Sequence, residues 1–346
     1  MTGPRVGGAR PRAPRTGAFL MGAVALACLA GAAPDWPFPI YGLGRAGAAP
    51  ACQAAGYRAF DFWLGRWRVV APDGAPAGRS EITPALEGCA VLETFAGGQG
   101  RSLSAPDPGT GTWHQDYVDH AGLTLRLLGG PDGQGMRMED SVRVIRNGPS
   151  LRSRFAWRPD GGGTVRQTWW FSTDGGATEQ VNFDGRYLPD TTAAPPPPPP
   201  ATCRERPAYR ALDGMLGQWQ VWQGGRAVGR ATLTATAGDC LIEERFTGSG
   251  RHQRYQLLAF LYYDRYIQRW FRVQADVEGH WHRLGGVMHE DVLDLAGLIP
   301  DGRGTPIPAV LRWRQPAPDT LRQAWMTGRT AVDPAVEFTW VREAAP

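Results

Sequence analysis

The chain has 346 residues and carries 37 basic side chains, all of them arginine, against 33 acidic ones, a formal charge of +4. A balance so mild excludes a charge-driven nucleic-acid binder. Forty-six glycines, 30 prolines and 14 tryptophans exclude a helical bundle and point to a turn-rich, all-β chain, long enough for two domains.

The first segment reads as an export signal covering residues 1–33. Arg5, Arg10, Arg12 and Arg15 precede an apolar stretch over 18–33 that ends in small residues. That stretch is shorter than the roughly 18 residues a membrane span needs. Cleavage near Ala32 or Ala33 is therefore expected, with no transmembrane span in the mature chain and a periplasmic or secreted location. Cys28 offers lipid anchoring as a minor alternative. Because the first 32 residues hold four arginines and no acid, the mature chain is formally neutral.

After a leader over 34–51, the sequence repeats. The run Tyr57-Arg-Ala-Phe-Asp-Phe-Trp-Leu-Gly-Arg-Trp-Arg-Val69 matches Tyr209-Arg-Ala-Leu-Asp-Gly-Met-Leu-Gly-Gln-Trp-Gln-Val221, and Arg166-Gln-Thr-Trp169 matches Arg322-Gln-Ala-Trp325. Two copies of one unit are expected, over 52–190 and 202–346. The linker between them, 191–201, contains the six prolines Pro195 to Pro200, a polyproline II spacer that predicts two separate bodies. Within each copy side chains alternate with period two, as in Cys89/Val91/Glu93/Phe95 and Val165/Gln167/Trp169/Phe171, between Gly-, Pro- and Asp-rich turns. Eight or so such strands would lose their edges by closing into an antiparallel up-and-down barrel. A sandwich is the alternative.

The stretch Phe60-Asp-Phe-Trp-Leu-Gly-Arg-Trp67, with Glu87-Gly-Cys-Ala-Val-Leu-Glu93 and Trp113-His-Gln115, resembles a family of exported bacterial proteins of unknown function. The pairs Gly65-x-Trp67 and Gly217-x-Trp219 are similar to the first-strand signature of lipocalin-like barrels, in which Trp67 and Trp219 would pack structurally across the closed end. The resemblance implies two tandem lipocalin-like barrels, each with a cavity, and brings no activity with it.

Outside the signal, Cys52 and Cys89 have the same spacing as Cys203 and Cys240. An exported chain with duplicated spacing predicts the disulfides Cys52–Cys89 and Cys203–Cys240. Polar residues that share a face with large apolar ones mark the candidate ligand site: Glu93 and Glu244, Gln167 and Gln323, and Gln115 with Gln268. A buried carboxylate or amide needs a partner, so these groups either orient an apolar guest or form an internal network. A desolvated carboxylate could also serve as an acid or base.

His280, His282 and His289 with Asp291 form the candidate metal site. If Gly285-Gly286 is a hairpin turn, His282 faces His289 and His280 faces Asp291, a set suited to zinc or iron. No serine elbow, phosphate loop or dinucleotide fingerprint is present to supply a catalytic residue. The expected function is thus binding of a small, mainly apolar ligand without a resident cofactor. The alternatives are a metal- or carboxylate-based enzyme, or a structural and interaction module of the cell envelope. An open lumen lined by Glu93 or Glu244 would favour the first of these, and a lumen filled by tryptophan would exclude it.

Overall fold

A computed structural model describes residues 51–96, 99–141, 143–145, 148–192, 200–300, 305–328 and 336–344. Residues 1–33, where the export signal is expected, Cys28 among them, the leader over 34–50 and most of the linker (193–199) lie outside the described residues.

The first barrel is built from β1 (Gly65–Val70), β2 (Pro76–Ala85), β3 (Ala90–Phe95), β4 (Gly100–Pro106), β5 (Trp113–Asp119), β6 (Thr124–Asp132), β7 (Gly135–Asp140), β8 (Arg143–Val144), β9 (Ser150–Pro159), β10 (Val165–Ser172) and β11 (Gln180–Pro189). Neighbours pair antiparallel, β11 returns to β1, and β9 joins β7 to β10, so ten strands close a ring with the two-residue β8 beside it. The second barrel runs β12 (Gly217–Gln223), β13 (Arg226–Thr236), β14 (Leu241–Gly248), β15 (Gln256–Asp264), β16 (Arg269–Asp276), β17 (Trp281–His289), β18 (Val292–Pro300), β19 (Pro306–Ala317), β20 (Thr320–Thr327) and β21 (Val336–Arg342), closing through β12 and β21. The fold is therefore two closed ten-stranded antiparallel barrels in tandem, with more strands than the eight or so expected.

The repeated motif performs the same work in each barrel. A short turn, Asp61–Trp63 or Asp213–Met215, crosses one end before the first strand. Gly65 (φ 146°) and Gly217 (φ 128°) occupy left-handed backbone at the corner that follows. The Trp67 indole donates to the Trp63 carbonyl and the Trp219 indole to the Met215 carbonyl, each at 2.9 Å. Both disulfides are formed, tying Cys52 to Cys89 and Cys203 to Cys240, each across 37 residues.

The barrels are not the separate bodies that a proline spacer suggests. Leu92, Leu103, Ala105 and Val118 point out of the first barrel and join Leu258, Phe260, Tyr262, Val273, Ala275 and Trp281 of the second in one buried cluster. The contact has approximate two-fold character. Gly122 of the first unit packs against the Tyr209 hydroxyl and the Cys203 sulfur, and its counterpart Gly279 packs against the Tyr57 hydroxyl and the Cys52 sulfur. A Cβ at either glycine would lie 2.3–2.4 Å from the tyrosine oxygen. The Tyr57 hydroxyl donates to the Gly279 carbonyl at 3.2 Å.

Charge pairs cross the same face. Arg126 meets Asp264 at 2.6 Å, Arg101 meets Glu243, and Asp116 accepts from Arg283 and from the Tyr262 hydroxyl. Arg143 bridges Asp140 at 3.0 Å and Asp264 at 3.4 Å. Burial outweighs these arginines at Asp140 and lifts its carboxyl to about 6. Taking so many charges out of water is tolerable only because each finds an opposite partner.

Candidate functional site

Alternation along the strands assigns each barrel its inward face, and the two lumens differ. In the first barrel the plug end is dense with rings: Phe60 stacks on Trp63 at 4.8 Å and meets Trp113 and Trp157 edge-on at 5.6 and 5.3 Å. Above it lies a polar belt. Register places Ser80 beside Phe95 on one neighbouring strand, and Glu93 between Ile82 and Ser102. The Ser80 hydroxyl donates to Glu93 Oε1 at 3.0 Å and the Ser102 hydroxyl to Oε2 at 2.9 Å. Gln115 donates to the Ser104 hydroxyl at 3.0 Å, and Gln167 accepts from the Tyr187 hydroxyl at 2.5 Å.

Burial pushes the Glu93 carboxyl up to about 7, with the two serine hydroxyls and the more distant Arg101 pulling the other way. Tyr117 and Tyr187 are held protonated, by burial first and by nearby carboxylates second. At the end opposite the plug, Phe95, Tyr117, Trp169 and Phe183 face inward yet are half-buried, and Gln167 beneath them is half-buried too. Phe155 stacks on Trp169 at 5.2 Å and completes an aromatic wall.

The equivalent positions in the second barrel are Phe246, Gln274, Trp325, Val336 and Gln323, and all five are buried. Loop length is one cause. The first barrel joins its third and fourth strands with four residues (96–99), whereas the second uses seven (249–255) followed by strand β15. In that longer connection Tyr255 packs on Phe246 and donates to Asp276 at 3.1 Å, and His252 is buried beside it. The second cause is side-chain size: Gly185 and Tyr187 of the first barrel become Phe338 and Trp340, both fully buried.

The carboxylate has also changed partner. Ser80 and Ser102 are replaced by Ala231 and Ala259, and Gln115 by Arg272. Arg272 grips Glu244 through two hydrogen bonds of 2.9 and 3.0 Å and reaches Gln274 at 2.6 Å, with all three side chains removed from solvent. His282 stands beside Gln274 where the first barrel has Leu125. Its ring meets Trp325 edge-on at 5.9 Å, and neither ring nitrogen has a hydrogen-bond partner. Burial, reinforced by Arg272, drives its pKa down to about 3, so the ring is neutral.

Of the six polar residues singled out in the sequence, Glu93, Gln115 and Gln167 come together in one lumen, and Glu244 and Gln323 lie in the other. Gln268 does not belong with them. It is exposed in the turn between β15 and β16 with φ 53°, and Arg272 occupies the place that Gln115 holds. Alignment by residue type misled here; alignment on Trp113 with Trp270 and Asp119 with Asp276 finds Arg272. Ser80, Ser102 and Gln274 were also missed, although their spacing from marked positions carries the signal.

The metal cluster is not assembled. Strand β17 runs straight through Gly285 and Gly286, and the hairpin turn falls at Glu290 and Asp291. His282 and His289 are seven residues apart on one strand and face opposite sides. His289 and Asp291 are exposed, while His280 lies in the turn before β17. Its Nδ1 is 3.0 Å from Asp276; burial works against the charged ring, but Asp276 outweighs it and raises the pKa. Among the described residues no group of three or more His, Cys, Asp or Glu side chains has metal-holding geometry. The glycine pair serves close strand approach rather than a turn: a Cβ on Gly286 would lie 1.7 Å from the Asp294 carbonyl oxygen, and one on its counterpart Gly129 would lie 2.0 Å from that of Arg137.

A cavity of about 580 Å³ does occur at the plug end of the second barrel, lined by Leu212, Met215, Leu293, Trp313 and Leu321 with Glu290, Asp291 and Arg314 at its rim. It follows from exchange of the large plug residues Phe60 and Trp63 for Leu212 and Met215.

No family model and no curated protein matches the chain, so the motif resemblance stands on the motif alone. Among solved structures, the chain is similar to a protein of unknown function from the DUF3598 family of Nostoc punctiforme PCC 73102. The two are 9% identical over 84% of this chain and 98% of that one, with a TM-score of 0.20, too low to inform the site. Among the described residues no helix is long and apolar enough to cross a membrane.

Proposed function

We propose that the protein is an exported small-molecule-binding protein and that its first barrel takes a small, mainly apolar ligand with a polar head. The observation that carries this reading is the half-buried aromatic wall of Phe95, Tyr117, Trp169 and Phe183 above Glu93, at positions that are all buried in the second barrel. An apolar wall with a few convergent polar groups is what small-molecule sites require. Export rests on the basic and apolar first 33 residues and on the two disulfides, which persist in oxidising compartments.

Titration of the mature chain with the neutral fluorescent probe N-phenyl-1-naphthylamine tests it. One saturable site is expected. Gly185→Phe, which installs the residue found at the matching position of the second barrel, should abolish binding while the circular dichroism spectrum is retained. Absence of saturable binding to the unmodified chain, or binding that survives Gly185→Phe in a folded protein, overturns the assignment to this lumen.

A further inference from the structure

Resting on that reading, we infer that the first barrel selects an organic cation, an amine or guanidinium carried on an apolar or aromatic body, whose charged head sits on Glu93 as Arg272 sits on Glu244. The second barrel supplies the template. There, a carboxylate at the matching place on the third strand is occupied by a guanidinium that the fold itself delivers, in a bidentate pair sealed from solvent. The first barrel keeps the carboxylate and omits the internal cation. Position 115, equivalent to Arg272, is a neutral glutamine already engaged with Ser104.

What surrounds Glu93 can orient a carboxylate without neutralising it. Ser80 and Ser102 each donate one hydrogen bond. The other titratable groups nearby are Tyr117 on β5 and Tyr187 on β11, both acids themselves. The nearest guanidinium, Arg101, points outward and is spent on Thr94 and Glu243. A buried carboxylate without a cation is costly, and burial accordingly favours its neutral form. An arriving ammonium would remove that cost, and the faces of Tyr117 and Trp169 along the approach suit a cation as well as an apolar body.

The test is calorimetric titration of the mature chain at pH 8 with 2-phenylethylamine, the isosteric neutral 2-phenylethanol, and 3-phenylpropionate. The amine is expected to bind about tenfold or more tightly than the alcohol, a factor typical of a charge-assisted contact in a desolvated site, and the carboxylate not at all. Amine affinity should rise between pH 6 and pH 8, since Glu93 must lose its proton while the amine keeps its own. Glu93→Gln should erase the preference of amine over alcohol. Gln115→Arg should erase it by supplying the cation from within; if that variant does not fold, Glu93→Gln alone decides. Equal binding of amine and alcohol, or tighter binding of the carboxylate, overturns the cation inference and leaves the apolar-ligand reading standing. Failure of all three, together with failure of the naphthylamine probe, removes both.

Discussion

The two barrels carry the same glutamate at the same place on the third strand and have solved its burial in opposite ways. In the second, Arg272 pairs with Glu244, alanines replace the hydroxyl donors, and Phe338, Trp340 and the Tyr255 loop fill the remaining space. In the first, Glu93 has only hydroxyl partners and lies below a half-buried aromatic wall. A lumen that satisfies its own charge is a core. A lumen that leaves its charge uncompensated has kept free energy available for something else to contribute.

The largest expected effect comes from breaking the self-satisfied side. Arg272→Met leaves Glu244 buried without a cation and should cost roughly 3–5 kcal/mol in urea unfolding. A loss below about 1 kcal/mol would mean that solvent reaches Glu244 and that the lumens are less different than they look. Removing either disulfide should cost roughly 3–4 kcal/mol on the chain-entropy model, and by nearly equal amounts, because the loops are equal. A pronounced inequality would show that the barrels differ in their frames as well as their contents.

Glu93→Gln should act in the other direction. The folded carboxyl sits at about 7 against an ordinary 4.5, so the folded state holds the proton more tightly than the unfolded one. Stability from this group is therefore greatest below about 4.5, falls as pH rises through about 7, and stays low above it. At pH 8 the glutamine variant should gain up to about 3 kcal/mol, and the gain should vanish near pH 4. Glu244→Gln should instead destabilise at pH 8, because it strands Arg272. The smallest effect is His282→Leu, which copies Leu125 and removes two unpartnered ring nitrogens; thermal unfolding should show a gain of about 1 kcal/mol.

Much of this was legible in the sequence: two copies, closed antiparallel barrels, both cysteine pairs, and the inward facing of Glu93, Gln115, Gln167, Glu244 and Gln323. These follow from period-two alternation and spacing, which are local properties. The Gly-Gly pair misled because glycine answers two demands, positive φ and close approach, and only the register distinguishes them. The docking of the barrels was missed, because the proline spacer predicted two separate bodies, although one signal of it was present. On β4 the serines point inward while Leu103 and Ala105 point out, an inverted alternation that marks a covered outer surface. What no local pattern could supply is the partner of a buried charge, since Arg272 and Glu244 lie on different strands and meet only once the ring closes.

The near two-fold contact, in which Tyr57 reaches Gly279 and Tyr209 reaches Gly122, has a consequence for descent. Two identical chains joined through such a face would share every substitution, so that a change improving one lumen would be imposed on the other. Fusion into one chain lifts that constraint. The equivalent arginines Arg126 and Arg283 already pair with acids, Asp264 and Asp116, that are not equivalent. The same freedom lets one lumen close over its own ion pair while its twin keeps a carboxylate held by hydroxyls.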